Sequence, residues 1–414
     1  MREFSHIKLK YVADVFNGNS IPDEKKNEYE GKKIPYIPTK ELHVEDGTIN
    51  YENGLSVDDE DGFRIAPAES VLMCIEGGSA GKKIGFIDRP VAFVNKLCCI
   101  HGTTSSPKFL YHALRSKDFT EQFFLNITGL IGGVTVSVLK NLFVTLPNSI
   151  EEQQTIAAYL DRKCTQIDTL IANQQQQIEK LKAYKQSVIT ETVTKGLDPD
   201  VPMKDSGVEW IDCIPETWKM VRGKGVFNET DSRSADGKEE LLTVSQYTGI
   251  TPRSEKNVSM FEAKTLEGYK ICETGDIAAN TMWMWAGAIG VSNYSGVVSP
   301  SYNVYRQIYD TYDASYLDYL LRIAPLVQCY ESMSTGIRAS RLRLYPHQFL
   351  SISFPAPPME EQKQIVSYLK EKCDRVEKLI RIKQQKIEKL QQYKKSLIYE
   401  YVTGKREVEL CCQP

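Results

Sequence analysis

No apolar run in the 414-residue sequence approaches 18 residues, so no membrane span is expected. The opening Met1-Arg2-Glu3-Phe4-Ser5-His6 is polar and carries no apolar core of a secretory signal. The ten cysteines form no CxxC spacing, and Cys98-Cys99 and Cys411-Cys412 are adjacent pairs unlike a disulfide framework; the expected compartment is a reducing cytoplasm. The five histidines (His6, His43, His101, His112, His347) have no mutual spacing suited to a metal. An Asn-Pro-Pro-Tyr methyltransferase motif is missing. Gly77-Gly78-Ser79-Ala80-Gly81-Lys82-Lys83 is like a phosphate-binding loop, but Glu76 stands where the first glycine belongs and Lys83 where a hydroxyl must meet Mg²⁺. Pro22-Asp23-Glu24-Lys25-Lys26 holds pieces of a nuclease signature too close together to surround one metal, and reads as an exposed charged loop. There is no basic excess either: at a net charge of −3, a nucleic-acid partner must be met by local positive charge.

Two long stretches, 151–194 and 360–403, lack both proline and glycine. They are copies of each other at a constant offset of 209, with about half the positions identical. Glu151-Glu152-Gln153 recurs as Glu360-Glu361-Gln362, Ile178-Glu179-Lys180-Leu181 as Ile387-Glu388-Lys389-Leu390, and Val193-Thr194 as Val402-Thr403. Strong helix formers dominate, and each copy reads as one helix roughly 60 Å long. Leu160, Cys164, Ile167, Ile171, Gln174, Ile178, Leu181, Lys185 and Val188 keep one 3-4 register. Leu369, Cys373, Val376, Ile380, Lys383, Ile387, Leu390, Lys394 and Leu397 repeat it. A spacing near 3.5 residues marks a coiled-coil seam, and isolated polar seam residues fix its register. Antiparallel pairing sets Gln174 against Lys383 and each intruding lysine against the cysteine layer, Lys394 with Cys164 and Lys185 with Cys373. Parallel pairing also aligns the polar layers, but the connecting segment must then run back the full helix length.

Apolar and charged contents of 41% and 25% are those of a globular chain, and the length suggests two or three domains. The expected fold class is α+β. Two mixed α/β domains, 1–148 and 219–357, alternate with long helices at 149–196 and 358–404; 197–218 reads as a turn-rich linker and 405–414 as a tail. In the first domain, β-type runs at 34–37, 70–75, 83–87 and 91–94 precede a helical pattern at 108–125, a loop Thr128-Gly129-Leu130-Ile131-Gly132-Gly133, and a strand ending at Leu146-Pro147. Ser149 and Glu152 form a capping box for the first long helix. The second domain keeps the order: Val15-Phe16-Asn17 recurs as Val226-Phe227-Asn228, and Glu69-Ser70-Val71-Leu72 has its counterpart in Gly275-Asp276-Ile277-Ala278. A helical pattern at 315–330, a loop Ser334-Thr335-Gly336 and a strand to Phe354 follow. Beyond this order the two domains barely resemble each other.

The two Glu-Glu-Gln helix starts, Gly207-Val208-Glu209-Trp210-Ile211, Ile214-Pro215-Glu216-Thr217-Trp218 and Val402-Thr403-Gly404-Lys405 carry a resemblance. Over its full length the chain resembles the specificity subunit of type I restriction–modification enzymes. The resemblance implies two target-recognition domains, each reading one half of a bipartite, asymmetric site in double-stranded DNA. It implies that the helices form an antiparallel coiled coil that sets the unread spacer and docks two methyltransferase subunits, and that two motor-nuclease subunits complete the complex. Catalysis then belongs to those partners, with S-adenosylmethionine, ATP and Mg²⁺ bound there and no cofactor or metal in this chain. The sequence departs from the family pattern at its start: the first domain begins almost directly at His6-Ile7-Lys8-Leu9, without the Lys-Asp-Ser-Gly lead-in of the second.

Candidate DNA contacts follow from residue type and loop position. Arg338, Arg341 and Arg343 stand without a nearby acid, and arginine reads guanine edges and clamps phosphates; a solvated strand face is the plainer alternative. Lys82 and Lys83 beside their glycines suit phosphates, or form an ordinary surface pair. Lys40, Thr128 and Ser334 are chosen by loop position alone. Trp283 and Trp285 alternate with Met282 and Met284, which reads as a buried strand rather than a base-stacking surface. Ile156, Tyr159 and Tyr184, with their counterparts Ile365, Tyr368 and Tyr393, form an outer helix stripe for the flanking domains or for partner subunits. A stand-alone nuclease or methyltransferase, and a coiled-coil scaffold indifferent to DNA, are the other classes; DNA modification by the purified chain, or failure to retard any duplex, would favour each in turn.

Overall fold

The computed structural model describes residues 3–44, 46–255, 265–336 and 342–408. Its contacts divide the chain into two units, Met1–Gln176 with Lys383–Pro414, and Gln177–Ile382.

The first unit runs β1 (Phe4–Lys8), β2 (Ala13–Asn17), β3 (Ile34–Ile37), β4 (Ser56–Val57), β5 (Ile65–Ala66), β6 (Ser70–Cys74), β7 (Ile84–Ile87), β8 (Val91–Phe93), β9 (Leu97–Gly102), α1 (Pro107–Leu114), α2 (Lys117–Leu125), α3 (Val136–Asn141) and β10 (Phe143–Pro147), then enters α4 (Ile150–Lys195). One sheet has the order β2-β9-β6-β7, a second β4-β3-β8-β5, and β1 pairs with β10. Strand β6 is apolar along most of its length because both its faces are covered. Val71 and Met73, with Cys98 and Ile100 of β9, face a core built with Phe109, Phe119 and Phe123. Leu72 and Cys74, with Leu97 and Cys99, face Ile37, Val91 and Phe93 of the second sheet. The period of two therefore sends Cys98 and Cys99 to opposite cores, which accounts for two adjacent cysteines that remain free thiols. Burial pushes the Cys99 thiol up to about 12.

The second unit runs β11 (Met203–Val208), β12 (Ile211–Pro215), β13 (Lys219–Arg222), α5 (Gly223–Val226), β14 (Phe227–Thr230), β15 (Leu242–Ser245), β16 (Gly249–Pro252), β17 (Lys270–Cys272), β18 (Ile277–Asn280), β19 (Ile289–Val291), β20 (Gly296–Val298), β21 (Tyr302–Gln307), α6 (Ala314–Leu321), α7 (Ala324–Met333), α8 (Pro346–Phe349) and β22 (Ser353–Ala356), then enters α9 (Met359–Val402). Its main sheet has the order β14-β21-β18-β19. This is the order of the first unit again, with β2 answered by β14 and β6 by β18. The two sequence matches, Val15-Phe16-Asn17 and Glu69-Ser70-Val71-Leu72, thus lie on equivalent strands.

Two expectations about local structure change. The helical patterns at 108–125 and 315–330 each break into two short helices. Ser116 caps the second of the first pair by accepting from the Phe119 N–H, and Pro325 lies in the first turn of α7, where a missing N–H costs nothing. Residues 203–215 form the hairpin β11–β12 rather than a bare linker. Its neighbours tie the motif residues down: Trp210 Nε1 donates to the Ser353 carbonyl at 3.2 Å, and the fully buried Trp218 donates through Nε1 to Glu361 Oε2 at 2.9 Å.

The long helices run antiparallel within each unit. In the first, Lys394 Nζ lies 2.6 Å from Asp168 Oδ2, and the rings of Tyr159 and Tyr401 are 4.7 Å apart. In the second, Lys185 Nζ lies 2.6 Å from Glu377 Oε1, and Ile189 and Val193 share a core with Ile365, Leu369 and Cys373. The offset of 209 carries Asp168 to Glu377 and Lys185 to Lys394, so one ion pair is made twice. The intruding lysines lie next to the cysteine layers, Lys394 by Cys164 and Lys185 by Cys373, and bond the acid beyond. Burial raises the Cys164 thiol and the Lys394 charge opposes it, so the two are neighbours, but the lysine's bond goes to the acid one turn further along. Along the seam, Leu160, Ile167, Gln174, Ile178, Leu369, Val376 and Ile387 are buried, while Ile171, Leu181, Ile380, Lys383 and Leu390 are half-buried.

Each helix start is locked to its own domain by the glutamine of Glu-Glu-Gln. Gln153 Oε1 accepts from the Ser106 N–H at 2.8 Å, and its Nε2 donates to the Pro147 carbonyl at 2.9 Å. Gln362 Oε1 accepts from the Asp313 N–H at 2.8 Å, and its Nε2 donates to the carbonyls of Thr311 and Pro357, both at 2.9 Å. Further along α4, the fully buried His112 of α1 meets Asp161 at 2.8 Å, and Lys108 meets the same carboxylate at 2.9 Å. Burial holds His112 below its usual range, against the pull of Asp161; its Nδ1 has no partner among the described residues.

Candidate nucleic-acid interface

In the first unit three loops meet beside the main sheet. The β6–β7 loop turns through Gly77 and Gly81, both at positive φ. A side chain at Gly81 would also strike the Phe123 ring at 2.7 Å, so only glycine fits. The loop's Gly77 N–H donates to the Gly132 carbonyl at 2.8 Å, joining it to a hairpin in which Thr128 and Gly133 exchange both backbone bonds at 2.9 and 3.0 Å. Gly129 and Gly132 supply the positive φ this turn requires, and Leu130 and Ile131 stand exposed at its tip. Lys83 Nζ donates to the Thr39 carbonyl at 2.8 Å, which brings in the third loop with Lys40.

The structure therefore gathers Lys40, Lys82, Lys83 and Thr128 onto one linked set of loops, but they are not equivalent. Lys83 is half-buried and spent on Thr39. Lys82 is exposed, bound among the described residues to the carbonyl of Gly78 within its own loop at 3.1 Å, a contact that a phosphate oxygen can replace. Lys40 is exposed beside Glu41, 3.5 Å away. Thr128 is exposed on the hairpin.

In the second unit Thr335 and Arg343 exchange backbone bonds at 2.9 and 3.0 Å, as Thr128 and Gly133 do in the first; Arg343 is exposed. Arg338 and Arg341 lie outside the described residues. Ser334 is turned inward, donating its hydroxyl to the Tyr330 carbonyl at 2.7 Å, and so is held by the end of α7.

The segment 281–287 overturns the expected buried strand. Strand β18 stops at Asn280, whose side-chain oxygen accepts from the Met282 N–H at 3.2 Å while its carbonyl accepts from the Trp283 N–H at 2.9 Å. This side-chain turn takes the backbone out of the ladder, and a short 3₁₀ turn, Met284–Ala286, ends at Gly287 with φ +86. Of the four large side chains Met284 is buried and Trp285 half-buried, while Met282 and Trp283 stand outside. Asn280 before the tryptophans and Gly287 after them were the available signals for a turn.

A family model described as type I restriction modification DNA specificity domain matches residues 1–180 and 215–392. The chain is 26% identical over 315 residues to the type I restriction enzyme MjaVIII specificity subunit of Methanocaldococcus jannaschii, which covers 73% of this chain and 70% of that protein. Among solved structures, it is similar to a chain described under complex assembly and conformational transition of the type I R-M system, with a TM-score of 0.71, 16% identity, and coverage of 97% of this chain and 98% of the other. The HsdS subunit from Thermoanaerobacter tengcongensis is similar at a TM-score of 0.50 and 17% identity, with 97% of each chain covered.

Proposed function

Because the chain belongs to the family of type I restriction modification DNA specificity domains, and is a DNA sequence-recognition subunit, we propose that each of its units reads one half of a bipartite, asymmetric site. The observation that carries this reading is the doubled sheet order, β2-β9-β6-β7 and β14-β21-β18-β19, with different loops after the equivalent strands β6 and β18. A shared frame with unlike loops suits a chain that must hold two unlike sequences in one manner. Lys82 is the phosphate contact of the first unit, with Lys40, Lys83 and Thr128 shaping its loops. Arg343, with Arg338 and Arg341, is the basic reader of the second, and Ser334 supports the bridge between Thr335 and Arg343.

The paired helices set the unread spacer, and their outer stripe with Tyr184 and Tyr393, both exposed, docks two methyltransferase subunits. The chain itself is non-catalytic. S-adenosylmethionine, ATP and Mg²⁺ belong to the methyltransferase and the two motor-nuclease subunits. Methylome sequencing of cells with and without this gene tests the reading: a split adenine-methylated motif should vanish with the gene. The same motifs in both strains, or none in either, would sink it.

A further inference from the structure

The β18–β19 loop presents an apolar surface with a fixed geometry. Trp285 Nε1 donates to the Met282 carbonyl at 2.9 Å, which holds that ring in place. Trp283 stacks on it with ring centroids 5.8 Å apart and planes 26° from parallel. Trp283 is 53% exposed and Met282 42%. Met284, between the two tryptophans in sequence, is fully buried and anchors the loop in the core. A large apolar surface that is both exposed and held rigid carries information that a scattered exposed leucine does not.

Its place in the fold narrows the occupant. The loop follows β18 as the Gly77-to-Lys83 loop follows β6, in sheets of the same order. At its foot, Asn280 Nδ2 donates to the Tyr302 hydroxyl at 2.9 Å, which fixes the end of β18 from which the loop departs. The apolar group that duplex DNA offers in its major groove is the thymine 5-methyl. A ring already stacked on its neighbour loses little conformational freedom in meeting one.

We propose that Trp283, backed by Trp285 and flanked by Met282, reads a thymine in the half-site of the second unit. The assignment rests on the bipartite-recognition reading above.

The test uses the full chain co-expressed with its methyltransferase subunits, as wild type, Trp283→Ala, Trp283→Phe and Met282→Ala. Methylome sequencing gives the motif of each, and duplex binding is measured with second-half thymines replaced one at a time by deoxyuridine. One replacement should weaken wild-type binding by about fivefold to tenfold, and Trp283→Ala should be insensitive to it. Discrimination in the first half-site should be unchanged, and Trp283→Phe should retain part of the effect. The proposal is overturned by a second half-site without thymine, or by a Trp283→Ala protein that discriminates as wild type does. Equal loss of affinity on every sequence, or loss of the methyltransferase subunits, would also overturn it, the latter marking a protein-docking surface. Thermal melting of each variant checks folding; if Trp283→Ala melts early, Met282→Ala and Trp283→Phe decide. A wild-type methylome with no split motif would instead strike the underlying reading.

Discussion

Gln153 and Gln362 are buried amides whose bonds go to backbone groups at the edges of their own domains. Replacing either by alanine leaves buried N–H and carbonyl groups unmatched, so Gln153→Ala should lower the stability of the first unit by about 2–4 kcal/mol and Gln362→Ala that of the second. Thermal unfolding followed by limited proteolysis of each unit checks which one loosens. The glutamines were visible in the sequence because Glu-Glu-Gln occurs twice. Their partners were not, since the N–H groups of Ser106 and Asp313 lie 47 and 49 residues away along the chain. Among the lysines, residue type alone could not separate Lys82 from Lys83, because only the fold shows that Lys83 is spent on Thr39. Lys82→Ala is expected to weaken DNA binding evenly across sequences and to reduce the slope of log affinity against log salt by about one, read from binding titrations between 50 and 200 mM salt.

At the level of helices, the two copies of the inter-helix ion pair differ in burial, and that difference has a measurable outcome. The Lys394 side chain is 8% exposed against 26% for Lys185. Lys394→Met, which strands Asp168 beside a buried site, should cost about 2 kcal/mol, and Lys185→Met less than about 1 kcal/mol. Chemical denaturation of the two variants side by side gives the order. The joint between α1 and α4 adds a pH dependence. His112 is held neutral in the folded chain, its protonation depressed by burial, while the unfolded histidine takes up a proton near its ordinary value of about 6.5. The unfolded state then binds more protons, so stability is lost as pH falls below about 6.5. Melting between pH 7.5 and 5.5 should show this decline, and His112→Gln should flatten it. The repeated seam made the long helices legible, because a heptad pattern over about eight turns has no other solution. The tryptophan loop at 281–287 was misread because alternation of apolar residues resembles a strand until the Asn280 side chain withdraws the backbone from the ladder.

For the whole molecule, lengthening the long helices tests their part in recognition. One heptad inserted into each helix, beside Gln174 and beside Lys383, keeps the seam in phase and should lengthen the unread spacer while both half-site sequences stay the same. Methylome sequencing reads both, and altered half-sites would remove the helices from the role of spacer. The α+β plan, with two copies of each part, was legible from an offset of 209 that never slips. Which loop residues stand outside was not, because that depends on turns whose partners come from distant strands. The glutamine joints have one more consequence. Every bond they make is to main chain, so they are blind to what side chains the adjoining domain displays. The loops that meet DNA can accumulate changes without weakening the attachment, and a domain of the same backbone but foreign sequence could be grafted onto either helix start. Such a chain can acquire a new target by inheritance of a new face, while the joint that holds it needs no matching change.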